Sequence, residues 1–270
     1  MSNSLAYLLV FHGSTDPRSA IAAQRLAVLF SERIVNCDRL PLKQKSLDAL
    51  LRGESPAIAT QALKPLVEVG ALESGVVPLD QQIVRLGQHL EAISGSAGQR
   101  VIKLVPLFLL AGVHVAEDIP EMVALAQAKL GDAVQIEVMA HLGAVPRLRR
   151  VLTERMSPIA AEAWVLLAHG SRRVGANQQV EALADHLGAI AAYWSTPPSL
   201  ETQLKALIQA GFRKIGVLPY FLFPGGITDA IAQQLETFSQ QFPGIQLHQA
   251  ALLNATPEIA DLIVDQVTAV

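Results

Sequence analysis

The sequence predicts an α/β protein of two similar lobes, each a mainly parallel sheet flanked by helices. Three observations lead there. Apolar runs of strand length, such as Leu5–Phe11 and Ala163–Ala168, lack alternation and so read as strands buried on both faces. These runs alternate with helix-length segments, the signature of parallel strands joined by crossovers. The whole order then recurs: Leu8-Leu9-Val10-Phe11-His12-Gly13-Ser14 returns as Val165-Leu166-Leu167-Ala168-His169-Gly170-Ser171, and Val105-Pro106-Leu107-Phe108-Leu109 as Leu218-Pro219-Tyr220-Phe221-Leu222.

Four pairs of stations follow along the chain. The first strand of each half ends at His-Gly-Ser. Asp16-Pro17 then supplies an N-cap and a proline at the first helical position, opening a helix through about Arg33. Its counterpart opens near Asn177 and runs to about Leu187. The second strands, Val69–Glu73 and Ala189–Trp194, lead through proline turns into helices over Leu79–Ile93 and Ser199–Gln209. On this register Leu72-Glu73 faces Tyr193-Trp194. The third strands, Val101–Leu109 and Lys214–Leu222, lead through glycine turns into helices over Ala116–Lys129 and Thr228–Gln241. Short strands at Val134–Val138 and Ile245–His248 and a last helix close each half. Ser157-Pro158 breaks the chain between lobes, giving an N-terminal lobe over 1–156 and a C-terminal one over 161–270. Residues 35–65 have no partner in the second half and read as an insertion or flap that can include short helices, with Pro41, Gly53 and Pro56 punctuating it.

Bulk properties narrow the function. With 270 residues the chain is long enough for two cores. Apolar residues make up 51% and charged residues 17%, which argues against disorder. A net charge of −3 gives no general nucleic-acid or anionic-membrane surface. One cysteine, Cys37, forms neither an internal disulfide nor a cysteine-rich metal site. Met1-Ser2-Asn3-Ser4 has no basic segment ahead of an apolar run, and Lys103, Pro106, Gly112 and His114 interrupt the longest apolar stretch. The expectation is a cytoplasmic protein.

His12, Glu73 and His114 each stand at or just past the carboxyl end of a predicted strand, where open α/β sheets bind ligands. Two imidazoles and a carboxylate suit a divalent first-row metal, and they also accept protons near neutral pH. Each has a plainer reading. His12 and its counterpart His169 can be turn formers, since a structural turn survives duplication. Glu73 can be an exposed strand-end carboxylate. Glu117 and Asp118, after His114, fit a helix dipole without further role. His114 is the sharpest signal, because Ile227 takes its place in the second half. His89, His141, His186 and His248 rank lower. No Gly-x-Ser-x-Gly elbow, Walker loop or dinucleotide fingerprint is present. Ser14, Arg18, Arg172 and Arg173 beside the His-Gly-Ser turns can hold an anion.

Together, His12-Gly13-Ser14-x-Asp16-Pro17-Arg18, the run Pro106-Leu107-Phe108-Leu109-Leu110-Ala111-Gly112-Val113-His114 into Glu117-Asp118-Ile119-Pro120, and Pro219-Tyr220-Phe221-Leu222-Phe223 resemble the sirohydrochlorin chelatases in their long, internally duplicated form, within the ATP-independent class II chelatases. Thr15 departs from the arginine common there. The resemblance implies two lobes across a cleft that holds the tetrapyrrole. It implies metal handling and catalysis by His12, His114 and Glu73, with substrate contacts from Ser14, Arg18 and His169. The implied reaction inserts Fe²⁺ or Co²⁺ into sirohydrochlorin, for the sirohaem or the cobalamin route, with no prosthetic group. The expected assembly is a monomer. Two rivals from other classes stand beside it: a non-catalytic tetrapyrrole or metal carrier, and a phosphotransfer enzyme working through His12.

Overall fold

A computed structural model of the protein describes residues 4–51, 65–94, 98–173 and 175–269, with residues 36–51 described by their backbone alone. The first half contains β1 (Ser4–Phe11), α1 (Pro17–Leu51), β2 (Leu66–Ala71), α2 (Leu79–Ile93), β3 (Arg100–Pro106), α3 (Ile119–Leu130), β4 (Gln135–Val138) and α4 (Leu148–Met156). The second repeats the order as β5 (Ala163–Ala168), α5 (Gln178–His186), β6 (Ala189–Tyr193), α6 (Leu200–Gln209), β7 (Lys214–Pro219), α7 (Gly226–Gln241), β8 (Gln246–Gln249) and α8 (Pro257–Thr268).

Both sheets are wholly parallel and share one topology, β2-β1-β3-β4 and β6-β5-β7-β8. Period-two geometry sends successive side chains to opposite faces. Ala6, Leu8 and Val10 therefore face an outer layer of α2 and α3, while Tyr7, Leu9 and Phe11 face a core shared with the second half. Val165 and Leu167 face α6 and α7, and Leu166 and Ala168 join the shared core. Burial on both faces is why these strands are continuously apolar.

The helices that close the halves cross over. α4 packs against β7 of the second half, and α8 packs along α1 of the first. Lys103 on β3 donates through Nζ to the Val267 carbonyl of α8 at 2.8 Å, and Arg33 of α1 pairs with Asp261 of α8 at 2.5 Å. A second ion pair, Arg147–Asp265, ties the start of α4 to α8. Leu148, Val151 and Leu152 of α4 and Ile259, Leu262 and Ile263 of α8 all enter the shared core.

The expected elements recur, but β3 and β7 end at Pro106 and Pro219 instead of Leu109 and Leu222, so His114 lies eight residues past its strand, and three further differences stand out. α1 continues to Leu51 instead of stopping near Arg33, so Pro41 does not end it and the first part of the expected insertion is helical. Residues 35–51 lack glycine and are rich in Leu, which propagates a helix. The remainder of that segment, 52–64, lies outside the described residues. β2 ends at Ala71, which leaves Glu73 two residues beyond it. A π-helical turn, His114–Asp118, precedes α3.

Candidate metal centre

β1 lies between β2 and β3, and in-register pairing brings their carboxyl ends to one edge: Phe11 opposite Ala71, Val10 opposite Pro106. The ladder continues past the strands. Glu73 N–H donates to the His12 carbonyl at 2.7 Å, and Leu107 N–H to that of Val10 at 2.7 Å. Gly13 permits this approach. It adopts φ +91°, and a Cβ there would stand 1.8 Å from the Glu73 carbonyl oxygen.

The edge gathers three ligating side chains. His12 Nε2 lies 3.8 Å from a Glu73 carboxylate oxygen. The His12 and His114 rings stand 4.7 Å apart at 86°. One ligand atom from each of the three residues falls within 4.8 Å of the others, and no second such group is found among the described residues. First-row ions bind imidazole nitrogen and carboxylate oxygen at about 2.0–2.2 Å, so side-chain rotations of roughly an ångström would close the set on one ion. All three are accessible, with His12 and Glu73 side chains about half exposed (52% and 53%) and His114 32% exposed.

Both imidazoles are aimed. His12 Nδ1 lies 2.9 Å from the Gly13 carbonyl, and His114 Nδ1 lies 2.6 Å from Asp118 Oδ2. Each of those oxygens is an acceptor, so Nδ1 carries the proton and Nε2 presents its lone pair outward. Asp118, which the sequence offered only as a dipole partner, is the group that orients the His114 ring. Phe108, 6.4 Å from the His12 ring and 6.0 Å from that of His114, forms an apolar flank.

The π-helical turn makes the two halves differ. Gly112 and Gly225 both provide the first helical carbonyl, to Ala116 and Asp229. Ile119 and Ile231 are the matching residues buried under the following helices. The first interval is seven residues and the second six, and the π turn, closed by Ile119 N–H on the His114 carbonyl, takes up the extra one. His114 sits at its start. From Gly112 and Gly225 its counterpart is Ile227, as the motif alignment implies.

The counterpart of Glu73 needs correction. Leu72 N–H and Glu73 N–H bond the carbonyls of Phe11 and His12; Trp194 and Ser195 do the same to Ala168 and His169. Glu73 therefore matches Ser195, and Trp194 matches Leu72. The sequence register is thus one residue out: Ala71 and Tyr193, the last residues of β2 and β6, pair with Phe11 and Ala168, so Leu72 and Trp194 are equivalent. His169 repeats the turn of His12, with Nδ1 3.0 Å from the Gly170 carbonyl, but meets Ser195 Oγ in place of a carboxylate.

Ser14 and Arg18 hold structure. The Ser14 hydroxyl accepts the Asp16 N–H at 3.0 Å. Arg18 grips Asp229 of α7 with two hydrogen bonds, 2.6 and 3.0 Å, and Asp16 as well. Those bonds hold the Asp16 and Asp229 carboxyls below their ordinary range and push the Arg18 guanidinium up. A related pair, Arg173–Glu117 at 3.2 Å, joins the His169 loop to the π turn. The turn after β1 thus reaches the second half, and the turn after β5 reaches the first. His141, His89, His186 and His248 are not part of the cluster.

Comparison with known proteins agrees with this architecture. A sequence model of the CbiX family matches residues 56–159 and 163–270, spans that include Glu73, His114 and His169. The sirohydrochlorin ferrochelatase of Priestia megaterium is 26% identical over 163 residues, covering 54% of this chain and 60% of that protein. The fold resembles SirB from Bacillus subtilis with Fe³⁺ (TM-score 0.68, 19% identity, 98% of this chain and 94% of that one). It also resembles SirB from Bacillus subtilis subspecies spizizenii in complex with cobalt (TM-score 0.65, 20% identity, 98% and 94%). With two copies of one α/β unit, and a family model that accounts for most of each, the chain belongs to the CbiX family.

Proposed function

We propose that the protein is a sirohydrochlorin chelatase, inserting Fe²⁺ or Co²⁺ into the tetrapyrrole without ATP. The observation that carries this is the meeting of His12, Glu73 and His114 at one accessible edge, with both histidine Nε2 atoms freed for an ion. The names of the relatives, a sirohydrochlorin ferrochelatase and chelatases holding iron or cobalt, support the same substrates.

In this reading the metal is a substrate. Nε2 of His12, Nε2 of His114 and a Glu73 oxygen replace part of its water shell and hold it beside the macrocycle. As the ion passes to the four ring nitrogens, two pyrrole N–H groups each lose a proton. The vacated imidazoles and carboxylate accept these protons and pass them to solvent, to which His12 and Glu73 are open. Bending the macrocycle against Phe108 and the second half would turn nitrogen lone pairs toward the ion, favouring the transition state over the flat ground state. Because Asp16 and Asp229 already satisfy Arg18, a substrate carboxylate there would have to displace one of them. In this reading His169, on the loop that Arg173 ties to the π turn, would contact the macrocycle from the second half. No helix among the described residues is long and apolar enough to cross a membrane, and we place the enzyme in the cytoplasm as a monomer.

An anaerobic absorbance assay with sirohydrochlorin and each metal in turn tests the reading. A metal-dependent change from free macrocycle to metallated spectrum is expected. Macrocycle binding without that change would make the protein a carrier. A phosphotransfer role is disfavoured because the Glu73 carboxylate lies beside the one free nitrogen of His12 and repels a phosphoryl group.

The 2.6 Å contact to Asp118 gives a second expectation. Asp118→Ala should weaken Co²⁺ binding about 10- to 100-fold by releasing the His114 ring, and Asp118→Glu should recover part of it. A Co²⁺ titration followed by visible absorbance reads both. Unchanged affinity in Asp118→Ala would show that the carboxylate does not orient the imidazole.

A further inference from the structure

The duplication pairs α1 with α5 as the first helix of each half, and α8 with α4 as the last. α1 and α8 pack directly and are pinned by Arg33–Asp261. The equivalent seam between α5 and α4 is open, around a cavity of about 510 Å³. α1 runs for 35 residues and α5 for only 9, so the shorter helix leaves the seam unfilled.

The seam is built for a ligand of particular chemistry. From α5, Gln179, Ala182, Leu183 and His186 face it at helical spacing. From the first half come Leu109, Leu110, His141 and Arg149. The lining is largely aliphatic, with a cation, two imidazoles, an amide and the Tyr220 phenol, whose hydroxyl donates to the Leu109 carbonyl, and no carboxylate. Among the described residues Arg149 has no ion pair, whereas its neighbours Arg147, Arg150 and Arg155 each have one. An apolar pocket of a few hundred Å³ with a few converging polar groups is the usual form of a small-molecule site, and a free guanidinium selects carboxylate, sulfonate or phosphate. Burial disfavours the charged form of His141, which fits a hydrogen-bonding role there. None of His12, Glu73 and His114 lines the seam.

We propose that the α4–α5 seam is a second ligand site, separate from the metal centre, which takes a small organic anion with an apolar body. Its occupant bridges the halves where α1 and α8 bridge them elsewhere. The test uses the full chain and 8-anilinonaphthalene-1-sulfonate, an apolar anion, as probe in equilibrium dialysis. Saturable binding is expected, weakened tenfold or more by Arg149→Ala and abolished by Ala182→Trp, which fills the seam from an exposed position. Excess sirohydrochlorin should leave the bound probe in place. Equal binding by all three proteins, or displacement of the probe by sirohydrochlorin, would overturn the proposal; the second result would assign the seam to the macrocycle cleft.

Discussion

Metal insertion by His114→Ala is expected to fall about 10²- to 10⁴-fold, the range spanned by removal of a positioned acid–base group. In the proposed reaction this imidazole is both a metal ligand and a proton acceptor, and Ile227 takes its place in the second half, so the duplication offers no substitute for it. The side chain is 32% exposed and its removal opens no core cavity, so thermal unfolding should stay close to that of the parent protein. Sirohydrochlorin binding should persist, because the imidazole holds the ion and not the macrocycle. The check is the anaerobic metallation rate beside a melting curve and a macrocycle titration. Parent-like metallation in a folded variant would remove His114 from the mechanism and the π turn from the argument with it.

Gly13→Ala should be the most damaging small substitution near the site. A left-handed backbone at φ +91° strains any residue with a Cβ, by about 1–3 kcal/mol. The added methyl also points at the Glu73 carbonyl, 1.8 Å away, with no flexible side chain to yield. Relief requires the segment after β2 to retreat from the turn after β1, which breaks the Glu73 N–H bond to the His12 carbonyl. Stability and metal binding should fall together, with a total loss of about 2–4 kcal/mol. Gly112→Ala is the control. It lies two residues from His114, but a Cβ there meets nothing within 4 Å, so it should change neither property much. Chemical denaturation and Co²⁺ titration of the two variants settle the comparison; a parent-like Gly13→Ala would mean that the contact between the two turns is not needed.

The strands and most helices were legible because their signals are local. Leu5–Phe11 and Ala163–Ala168 are apolar on both faces because helices cover both, and α2 follows Pro78 over the expected Leu79–Ile93. That His12, Glu73 and His114 come together was legible because each lies beyond the carboxyl end of a strand and the strands are neighbours. What escaped notice is relational. The extra residue of the π turn changes no motif, so the role of Asp118 waits on the i,i+4 contact that the turn creates. Trp194 and Ser195 are both plausible partners of Glu73 by composition, and only the hydrogen bonds to Ala168 and His169 choose between them. Pro41 carried too much weight as a breaker. The exchange of α4 and α8 leaves no local trace, since an amphipathic helix reads the same whichever sheet it covers.

That exchange bears on how such a molecule arises. Without α8 the first half would lose the helix packed along its α1, and without α4 the second half would lose the first-half helix packed on β7. Each half therefore completes the shared core with a terminal helix that touches the other, even though the sequence repeats. A single-unit ancestor would complete its interior only by trading terminal helices with a twin. Holding both units in one chain makes that association permanent; under the proposed mechanism the second, with Ile227 and Ser195 where the first has His114 and Glu73, need only shield its partner's sheet.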